Sequence, residues 1–288
     1  MLSPIPIDKG AVRRSFERAA GGYDGGAVLQ REMADRMLER LGYVRLDPAL
    51  ILDLGAGTGY AIEGLQKRFC KARVLALDFA LAMLLQARGR GSELNRPLCV
   101  CADAESLPLA DASLDLVFSN ATIQWCNDTQ GTFAECLRVL RPGGLLMFTT
   151  FGPDTLWELR NAWTVADGHS HVSPFIDMHD LGDALVRVGF ADPVMDVERL
   201  TLTYDKARNL MRDLKLLGAH NATSVRSRGL TGRRRFAAVE EAYEAHRRDG
   251  RLPASYEVIH GHAWAPQQRR VEGGVAIPVS AVKRETNR

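Results

Sequence analysis

The chain has 288 residues, of which 46% are hydrophobic and 25% are charged, and its formal net charge is +2. This is the composition of an ordinary soluble globular protein with one large domain or two small ones. A membrane-spanning protein is excluded at this level, because no apolar run approaches the roughly 20 residues that a spanning helix needs.

Charge and cysteine usage narrow the class of protein further. Residues 1–200 hold 20 Lys/Arg against 26 Asp/Glu, whereas residues 201–288 hold 17 against 9. The basic C-terminal part suggests an acidic partner or ligand, although an uneven solvated surface explains it about as well. Five cysteines without a C-x-x-C pair fit a reduced cytoplasmic protein without a metal site, and we expect Cys99 and Cys101 to fill core. The N-terminus lacks an apolar signal core, so we expect no targeting segment.

The first 44 residues predict two helices joined by a glycine-flanked aromatic. Asp8 can cap the first helix, which carries Val12 and Phe16 on one side, and glycines then bracket Tyr23-Asp24. Mobile glycines around a tyrosine favour a helical lid over residues 1–44. The alternative is a structural hinge in which Tyr23 is merely packed.

Residues 51–59 read as a buried strand that runs into a glycine-rich turn and a helix. Asp53 precedes the first glycine, and the spacing is G-x-G-x-G and not the dinucleotide pattern G-x-G-x-x-G. Glycines there let a ligand lie against the main chain at the edge of a parallel sheet. The departure from the dinucleotide spacing, with Asp53 in front, indicates S-adenosylmethionine and not NAD.

Strands and helices alternate from residue 50 onwards, which predicts an α/β fold. Strands are expected at 50–54, 73–78, 97–102, 114–119 and 145–151, with a sharp turn at 141–144 before the fifth. Their apolar content on both faces indicates a mostly parallel sheet with helices on both sides. A sixth strand at 192–204, a basic helical insertion at about 205–250 and an antiparallel seventh strand at 255–264 complete the domain (45–266). The polar tail, 267–288, is expected to be disordered.

Four predicted strand ends carry Asp53/Gly55, Asp78, Asp103 and Asn120 in order. Each acidic residue alone is better explained as a helix cap, but the ordered set marks a ligand edge. The pattern resembles class I S-adenosylmethionine-dependent methyltransferases over about residues 45–150. The resemblance implies a Rossmann-like, seven-stranded fold, with Asp78 at the ribose and Asp103-Ala104 at the adenine. The cofactor residues that it implies, with no metal, are Asp53, Gly55, Ala56, Gly57, Asp78, Phe79, Met83, Asp103, Ala104 and Asn120.

A closer resemblance spans nearly the whole chain except the tail. The chain is similar to the malonyl-acyl-carrier-protein O-methyltransferases of early biotin synthesis, from which His260 departs slightly. The matching strings are Asp8-Lys9, Ser15-Phe16, Tyr23-Asp24, Gln124-Trp125, Phe151-Gly152-Pro153-Asp154-Thr155-Leu156, Glu158-Leu159-Arg160, Leu217-Gly218-Ala219-His220-Asn221, Gly229-Leu230-Thr231-Gly232, Tyr256-Glu257-Val258-Ile259 and Gly261-His262-Ala263-Trp264. The resemblance implies methylation of the free carboxylate of a malonyl thioester, and an acidic acyl carrier protein that binds residues 201–251.

That reaction asks little of the protein's acid–base chemistry. A malonyl carboxylate has a pKa of about 4 and is already ionised at pH 7, so no general base is required. Placement of the carboxylate and exclusion of water are required. The residues expected to supply them are Tyr23, Gln124, Trp125, Arg160 and His220. For the last three the alternatives are an apolar wall, a surface ion pair and a structural histidine.

Two other functions stay open from the sequence. The arginine-rich insertion could bind RNA, but no Asp/Asn-Pro-Pro-aromatic run follows strand four and no aromatics alternate with the arginines. A non-methylating assembly factor, related to a protein arginine hydroxylase, is the second alternative. Carboxyl methylation needs no diagnostic base or nucleophile that would exclude it.

Overall fold

The computed structural model describes residues 6–92, 95–166, 171–219 and 232–267. Seven strands form one sheet in the order β3-β2-β1-β4-β5-β7-β6. The strands are β1 (Leu50–Leu54), β2 (Arg73–Asp78), β3 (Leu98–Cys101), β4 (Leu114–Ser119), β5 (Leu140–Phe151), β6 (Ala191–Tyr204) and β7 (Leu252–Trp264). The helices are α1 (Lys9–Ala19), α2 (Tyr23–Gly26), α3 (Val28–Leu41), α4 (Tyr60–Arg68), α5 (Leu81–Ala87), α6 (Thr129–Val139), α7 (Trp157–Ala166), α8 (Met178–Val188), α9 (Ala207–Leu216) and α10 (Arg233–Glu244).

Helices cover both faces of the sheet, which explains why β1 is apolar at every position except Asp53. Ile51 points into a core with Ile62 and Leu65 of α4, while Leu52 points into a core with Phe133 of α6. All five side chains are fully buried. A strand that is buried on both faces cannot alternate polar and apolar residues, so it reads as a continuous apolar run.

The order of the strands places a crevice at one edge. Strand β1 pairs in parallel with β2 on one side and with β4 on the other, so the chain order reverses at β1. Ligands of open α/β sheets bind beyond the carboxyl ends of the strands at such a reversal. The predicted fold, a mostly parallel seven-stranded sheet with an antiparallel last strand, is confirmed.

The last two strands form a long antiparallel hairpin. Strand β7 lies between β5 and β6 and is antiparallel to both. Helices α9 and α10 interrupt the chain between β6 and β7, and they pack with α3 and α7 around a third core that includes Tyr243 and Tyr256. None of the described helices is both long and apolar enough to cross a lipid bilayer.

Two local expectations were wrong. Residues 141–144 do not form a separate turn but belong to β5, where an irregular register takes up the extra residues between Leu140 and Leu145. Gly143 there has φ +77, and its N–H donates to the carbonyl of Ala265. Cys99 and Cys101 are exposed and do not fill core, because β3 is an edge strand of the described sheet.

Some expectations fall on parts of the chain that are not described. They concern His220, Asn221, the Gly-Leu-Thr string at 229–231 and the tail from 268 to 288. These lie outside the described residues.

Candidate active site

Two adjoining cavities lie at the carboxyl edge of β1, β2 and β4. The residues that line the first cavity include Asp78, Phe79, Met83, Asp103, Ala104 and Trp125. The second cavity lies between α3 and the glycine turn, against Gln30, Arg31, Asp53, Ala56, Thr58 and Tyr60. Both cavities share Tyr23, Gly55, Gly57 and Asn120. All ten residues expected to bind a cofactor therefore line one cavity or the other.

The glycine turn is held by its own amides. The N–H groups of Gly55 and Ala56 both donate to the carbonyl of Leu77, at 2.7 and 2.9 Å. The N–H of Gly57 donates to Oδ2 of Asp78 at 2.9 Å. Gly55 has φ +72, and a Cβ atom there would collide with the side chain of Thr122. Only glycine satisfies both conditions, which accounts for the first glycine of the motif.

Two buried carboxyls give the site an acidic floor. Asp53 is 2% exposed, and burial, followed by the charge of Asp78, raises its pKa to about 7. Burial also raises the pKa of Asp78 to about 6, although N–H groups of Ala80 and Gly57 lower it in part. Oδ2 of Asp53 has no hydrogen-bond partner among the described residues. Buried carboxylates of this kind are stabilised by a cationic ligand with hydrogen-bond donors.

The residues fit S-adenosylmethionine on these observations. The ligand is cationic at its sulfonium and its α-ammonium group, and it carries two ribose hydroxyls that can donate hydrogen bonds. Each carboxyl oxygen of Asp78 accepts one backbone N–H, from Gly57 or Ala80, and retains acceptor capacity for such hydroxyls. The acidic floor thus matches the charge and the donors of this cofactor.

The end of β4 is fixed by a short chain of hydrogen bonds. Thr149 Oγ1 donates to Oδ1 of Asn120 at 2.7 Å, and Nδ2 of Asn120 donates to the carbonyl of Gln30 at 2.9 Å. Ala121 has φ +52, and its N–H donates to Thr149. A non-glycine residue in this region is held there by its surroundings. Asn120 is therefore tied to β5 and to α3 at the same time.

Gln124 and Arg160 lie close to the site but line neither cavity. Nε2 of Gln124 donates to the carbonyl of Ala121 at 2.7 Å, and its Oε1 accepts from Thr150 at 3.0 Å. The Arg160 guanidinium donates to the carbonyls of Pro153 and Thr155, at 2.9 and 3.1 Å. Both side chains hold loops around the site. The structure brings Tyr23 and Trp125 together with the cofactor residues, but not these two.

Helix α1 covers the first cavity through charge and aromatic contacts. Nζ of Lys9 lies 2.7 Å from Oδ1 of Asp103 and 2.7 Å from Oε2 of Glu105. Burial lowers the pKa of Lys9, but its hydrogen bonds to both carboxylates raise it by more, so the pKa lies above its ordinary value. The ring of Phe16 lies against three other rings, with centroid distances of 5.4 to 6.3 Å, namely Tyr23, Phe79 and Trp125.

Several residues that line the two cavities were not predicted from the sequence, among them Lys9, Phe16, Gln30 and Arg31. Lys9 and Phe16 belong to strings that carry the family resemblance, so a signal for them existed. Gln30 and Arg31 gave no signal, because polar residues in an amphipathic helix are normally assigned to its solvent face. Among the described residues, no group of three or more His, Cys, Asp or Glu side chains could hold a metal ion.

Comparisons with known proteins identify the fold and the family of the chain. Residues 52–148 match the family model described as "Methyltransferase domain". The malonyl-[acyl-carrier protein] O-methyltransferase of Gallionella capsiferriformans is 53% identical, over 98% of this chain and 99% of its own. The protein of the same name from Methylovorus sp. is 55% identical, over 94% of this chain and 92% of its own. A crystal structure from Bacillus halodurans that bears the methyltransferase name superposes with a TM-score of 0.58 at 18% identity, over 80% of this chain and 98% of that one.

Proposed function

The chain belongs to the malonyl-[acyl-carrier protein] O-methyltransferase family, and on that premise we propose that it methylates the free carboxylate of a malonyl thioester. The product is the methyl ester, formed at an early step of biotin synthesis. The observation that carries the choice of substrate is the 53% identity across 98% of the chain. It favours this reaction over RNA modification and over a role in assembly without methyl transfer.

The cofactor of the proposed reaction is S-adenosylmethionine. Its sulfonium supplies an electrophilic methyl group when it is bound. Asp78 would accept from the ribose hydroxyls, and Asp103 with Ala104 would lie at the adenine. Phe79 and Met83 would form the apolar sides of the first cavity, which they line. Support for these roles is that all ten residues lie around two adjoining cavities.

The protein contributes to the reaction by positioning the substrate carboxylate and by excluding water from the reacting groups. The substrate carboxylate is ionised at neutral pH and needs no proton removed, so no residue is assigned as a base. The rings of Phe16, Tyr23 and Trp125 would exclude water from the reacting groups, which strengthens every electrostatic interaction between them. Gln124 and Arg160 are assigned to positioning, since their polar atoms already bond to the loops beside the site.

The partner is an acyl carrier protein, and we extend the proposal to where it docks. Acyl carrier proteins are acidic, and residues 201–288 carry the positive excess of the chain. Arg233 and Arg234 at the start of α10 are exposed and have no ion-pair partner among the described residues. Arg247 and Arg251 already pair with Glu244 and Asp205. The start of α10 is therefore the better candidate surface.

The experiment that tests the function compares several possible methyl acceptors as substrates of the same enzyme. The protein is incubated with S-adenosylmethionine that is labelled in its methyl group and with malonyl-carrier protein, malonyl-coenzyme A, free malonate or RNA. We expect label in the malonyl thioesters, and mild base should release it, since a methyl ester is hydrolysed under those conditions. Base-stable label in RNA, or in a protein side chain, would overturn the proposal.

A further inference from the structure

A third cavity, of about 450 Å³, lies between the end of α3 and the antiparallel strands of the sheet. It shares no lining residue with the two cavities of the candidate active site. Its volume lies within the range of small-molecule binding sites. The residues that line it include Met37, Arg40, Arg45, Met147, His260 and Trp264.

The walls of the third cavity suit an aromatic ring. Met147 of β5 lies opposite His262 of β7 in the register, and alternate residues of a strand share one face, so Trp264 lies on that face too. Met37 of α3 is 1% exposed and lines the cavity from the other side. Methionine thioethers and an indole both make favourable contacts with an aromatic ring. The apolar part of a ligand here is therefore best matched by such a ring.

His260 contributes two polar atoms that have no partner among the described residues. Its side chain is 5% exposed, and neither ring nitrogen makes a hydrogen bond there. Nε2 lies 3.5 Å from Oε2 of Glu198, a buried oxygen that likewise has no hydrogen-bond partner in the described chain. Burial lowers the pKa of His260 to about 4, so the neutral imidazole offers one N–H donor and one acceptor at pH 7. A hydroxyl group, which both donates and accepts, complements this histidine and carboxylate.

The charges around the cavity favour an anion at its solvent side. Arg40 pairs with Asp196 at 2.6 Å, and Arg36 pairs with the other oxygen of Glu198, so these groups balance one another. Arg45 lines the cavity and is exposed. Its guanidinium makes no ion pair with the residues that the structure describes, and it is thus free to bind a carboxylate.

We propose that the third cavity binds a hydroxyaromatic carboxylic acid. The hydroxyl accepts from the N–H of His260 and donates to Oε2 of Glu198, which satisfies atoms that are costly to leave unpaired. The ring lies among the two methionines and Trp264, and the carboxylate pairs with Arg45. This site is separate from the cavities assigned to methyl transfer, and its ligand is neither the cofactor nor the methyl acceptor of the proposed function.

The test compares 4-hydroxyphenylacetate with phenylacetate, which lacks only the hydroxyl. Each is titrated into the full chain with ¹³C-methyl-labelled methionine, and NMR follows the methyl signals of Met37 and Met147. We expect both signals to shift, and phenylacetate to bind about tenfold more weakly, the value of a hydrogen bond to a charged group. Excess S-adenosylhomocysteine should not displace either probe, because the first two cavities share no lining residue with the third.

Two variants separate the two ends of the proposed ligand. His260→Phe keeps an aromatic ring and removes both nitrogens, so it should weaken 4-hydroxyphenylacetate about tenfold and leave phenylacetate unchanged. Arg45→Ala should weaken both probes by about two- to fivefold, since an exposed ion pair contributes little. His179→Phe and Arg234→Ala are the matched controls, because both residues are exposed on other helices, and neither should change the affinity.

Three results would each overturn the proposal. They are unshifted signals of Met37 and Met147, equal affinities of the wild type for the two probes, and a preference for the hydroxyl that persists in His260→Phe. The first two are measured on the wild type, so they decide the matter even if His260→Phe does not fold.

Discussion

The Asp53 carboxyl is deeply buried, and one of its oxygens has no hydrogen-bond partner among the described residues. Such a group lowers the stability of the protein without ligand, but it favours the binding of a cationic ligand. The side chain is 2% exposed, and its pKa lies at about 7 because burial disfavours the charge. Above that pH the protein without ligand carries a buried carboxylate that lacks a hydrogen-bond partner among the described residues. A bound ammonium group would remove this cost, so we expect part of the stability of the fold to depend on the cofactor.

Asp53→Asn should therefore stabilise the protein without ligand at high pH. The folded pKa of about 7 lies above the ordinary 3.8, so the folded state binds more protons between these values and stability falls as pH rises through this window. The substitution removes that loss. We expect its melting temperature to exceed that of the wild type at pH 8 and to equal it near pH 4, as measured by differential scanning calorimetry. A constant difference at all pH values would contradict the assigned pKa shift.

Removal of either buried carboxyl should weaken the binding of the cofactor. Asp53→Ala and Asp78→Ala are each expected to cost about 1–3 kcal/mol of S-adenosylmethionine binding, the range of hydrogen bonds to charged groups. Calorimetry on folded protein measures this. Asp115→Ala is a suitable control, because Asp115 bonds the amides of Ala49 and Leu50 at the opposite edge of the sheet. Unchanged affinity in both variants would exclude this edge as the cofactor site.

At the scale of elements, α1 is attached to the first cavity at three places. Lys9 pairs with Asp103 and Glu105, Glu17 accepts from the first amides of α5, and Phe16 contacts the aromatic side chains of the cavity. The ion pairs are partly exposed and individually weak, while the aromatic contacts add apolar burial. We propose that these contacts break when residues 1–44 open as a lid for ligand exchange.

Tyr23 is expected to act in turnover more than in binding. Burial, followed by the charges of Asp78 and Asp24, raises the pKa of Tyr23, so the phenol stays protonated at any working pH. Tyr23→Phe, and deletion of residues 1–24, should depress turnover more than they depress the affinity for S-adenosylhomocysteine. Steady-state kinetics and calorimetry on the same preparations compare the two quantities. Full turnover in the truncated enzyme would mean that the N-terminal helices only pack against the domain and take no part in turnover.

The sequence predicted the elements whose signals are local. Four polar residues lie in the last positions of apolar strands or just after them, so their common edge could be predicted from the order of strands and helices. They are Asp53, Asp78, Asp103 and Asn120. What failed depended on distant parts of the chain. The exposure of Cys99 depends on the absence of a neighbour beyond β3 in the described sheet, and the course of 141–144 depends on pairing with Ala265. Gln30 and Arg31 face the glycine turn only because the helices fold back over it.

At the scale of the whole molecule, charge is divided between two regions. Residues 1–200 carry a net charge of −6 and residues 201–288 a net charge of +8. Exposed cations of the described insertion include Lys206, Arg212 and Lys215 of the α9 region besides Arg233 and Arg234. The end of this region touches α1, since a Cβ on Gly218 would lie 3.2 Å from the backbone of Ser15. A partner that docks on these cations would therefore sit beside the covered cavity.

Charge reversal at the start of α10 tests this arrangement. Changing Arg233, Arg234 and Arg235 to Glu should raise the KM for malonyl-carrier protein and leave activity on malonyl-coenzyme A nearly unchanged. The effect should fade with salt, because the Debye length is only about 10 Å at 0.1 M. Equal losses on both substrates would mean that the arginines support the fold or the pocket.

A matched charge change elsewhere serves as the control for that experiment. Three exposed cations lie where α4 leads into β2, at the amino ends of the strands and therefore opposite the site. They are Lys67, Lys71 and Arg73. Reversing all three gives the same change in net charge and should leave both substrates unaffected. An equal rise in KM from this variant would mean that net charge, and not a docking surface, governs the association.

The most direct test of the account measures the mass of the malonyl-carrier protein before and after a single turnover. Malonyl-carrier protein is mixed with excess enzyme and S-adenosylmethionine, and its intact mass is recorded together with that of the Asp78→Ala reaction. We predict that the wild type adds the mass of one methyl ester to the malonyl group, that mild base removes it, and that the variant adds it far more slowly at limiting cofactor. An unchanged malonyl-carrier protein in the presence of bound cofactor would contradict the account.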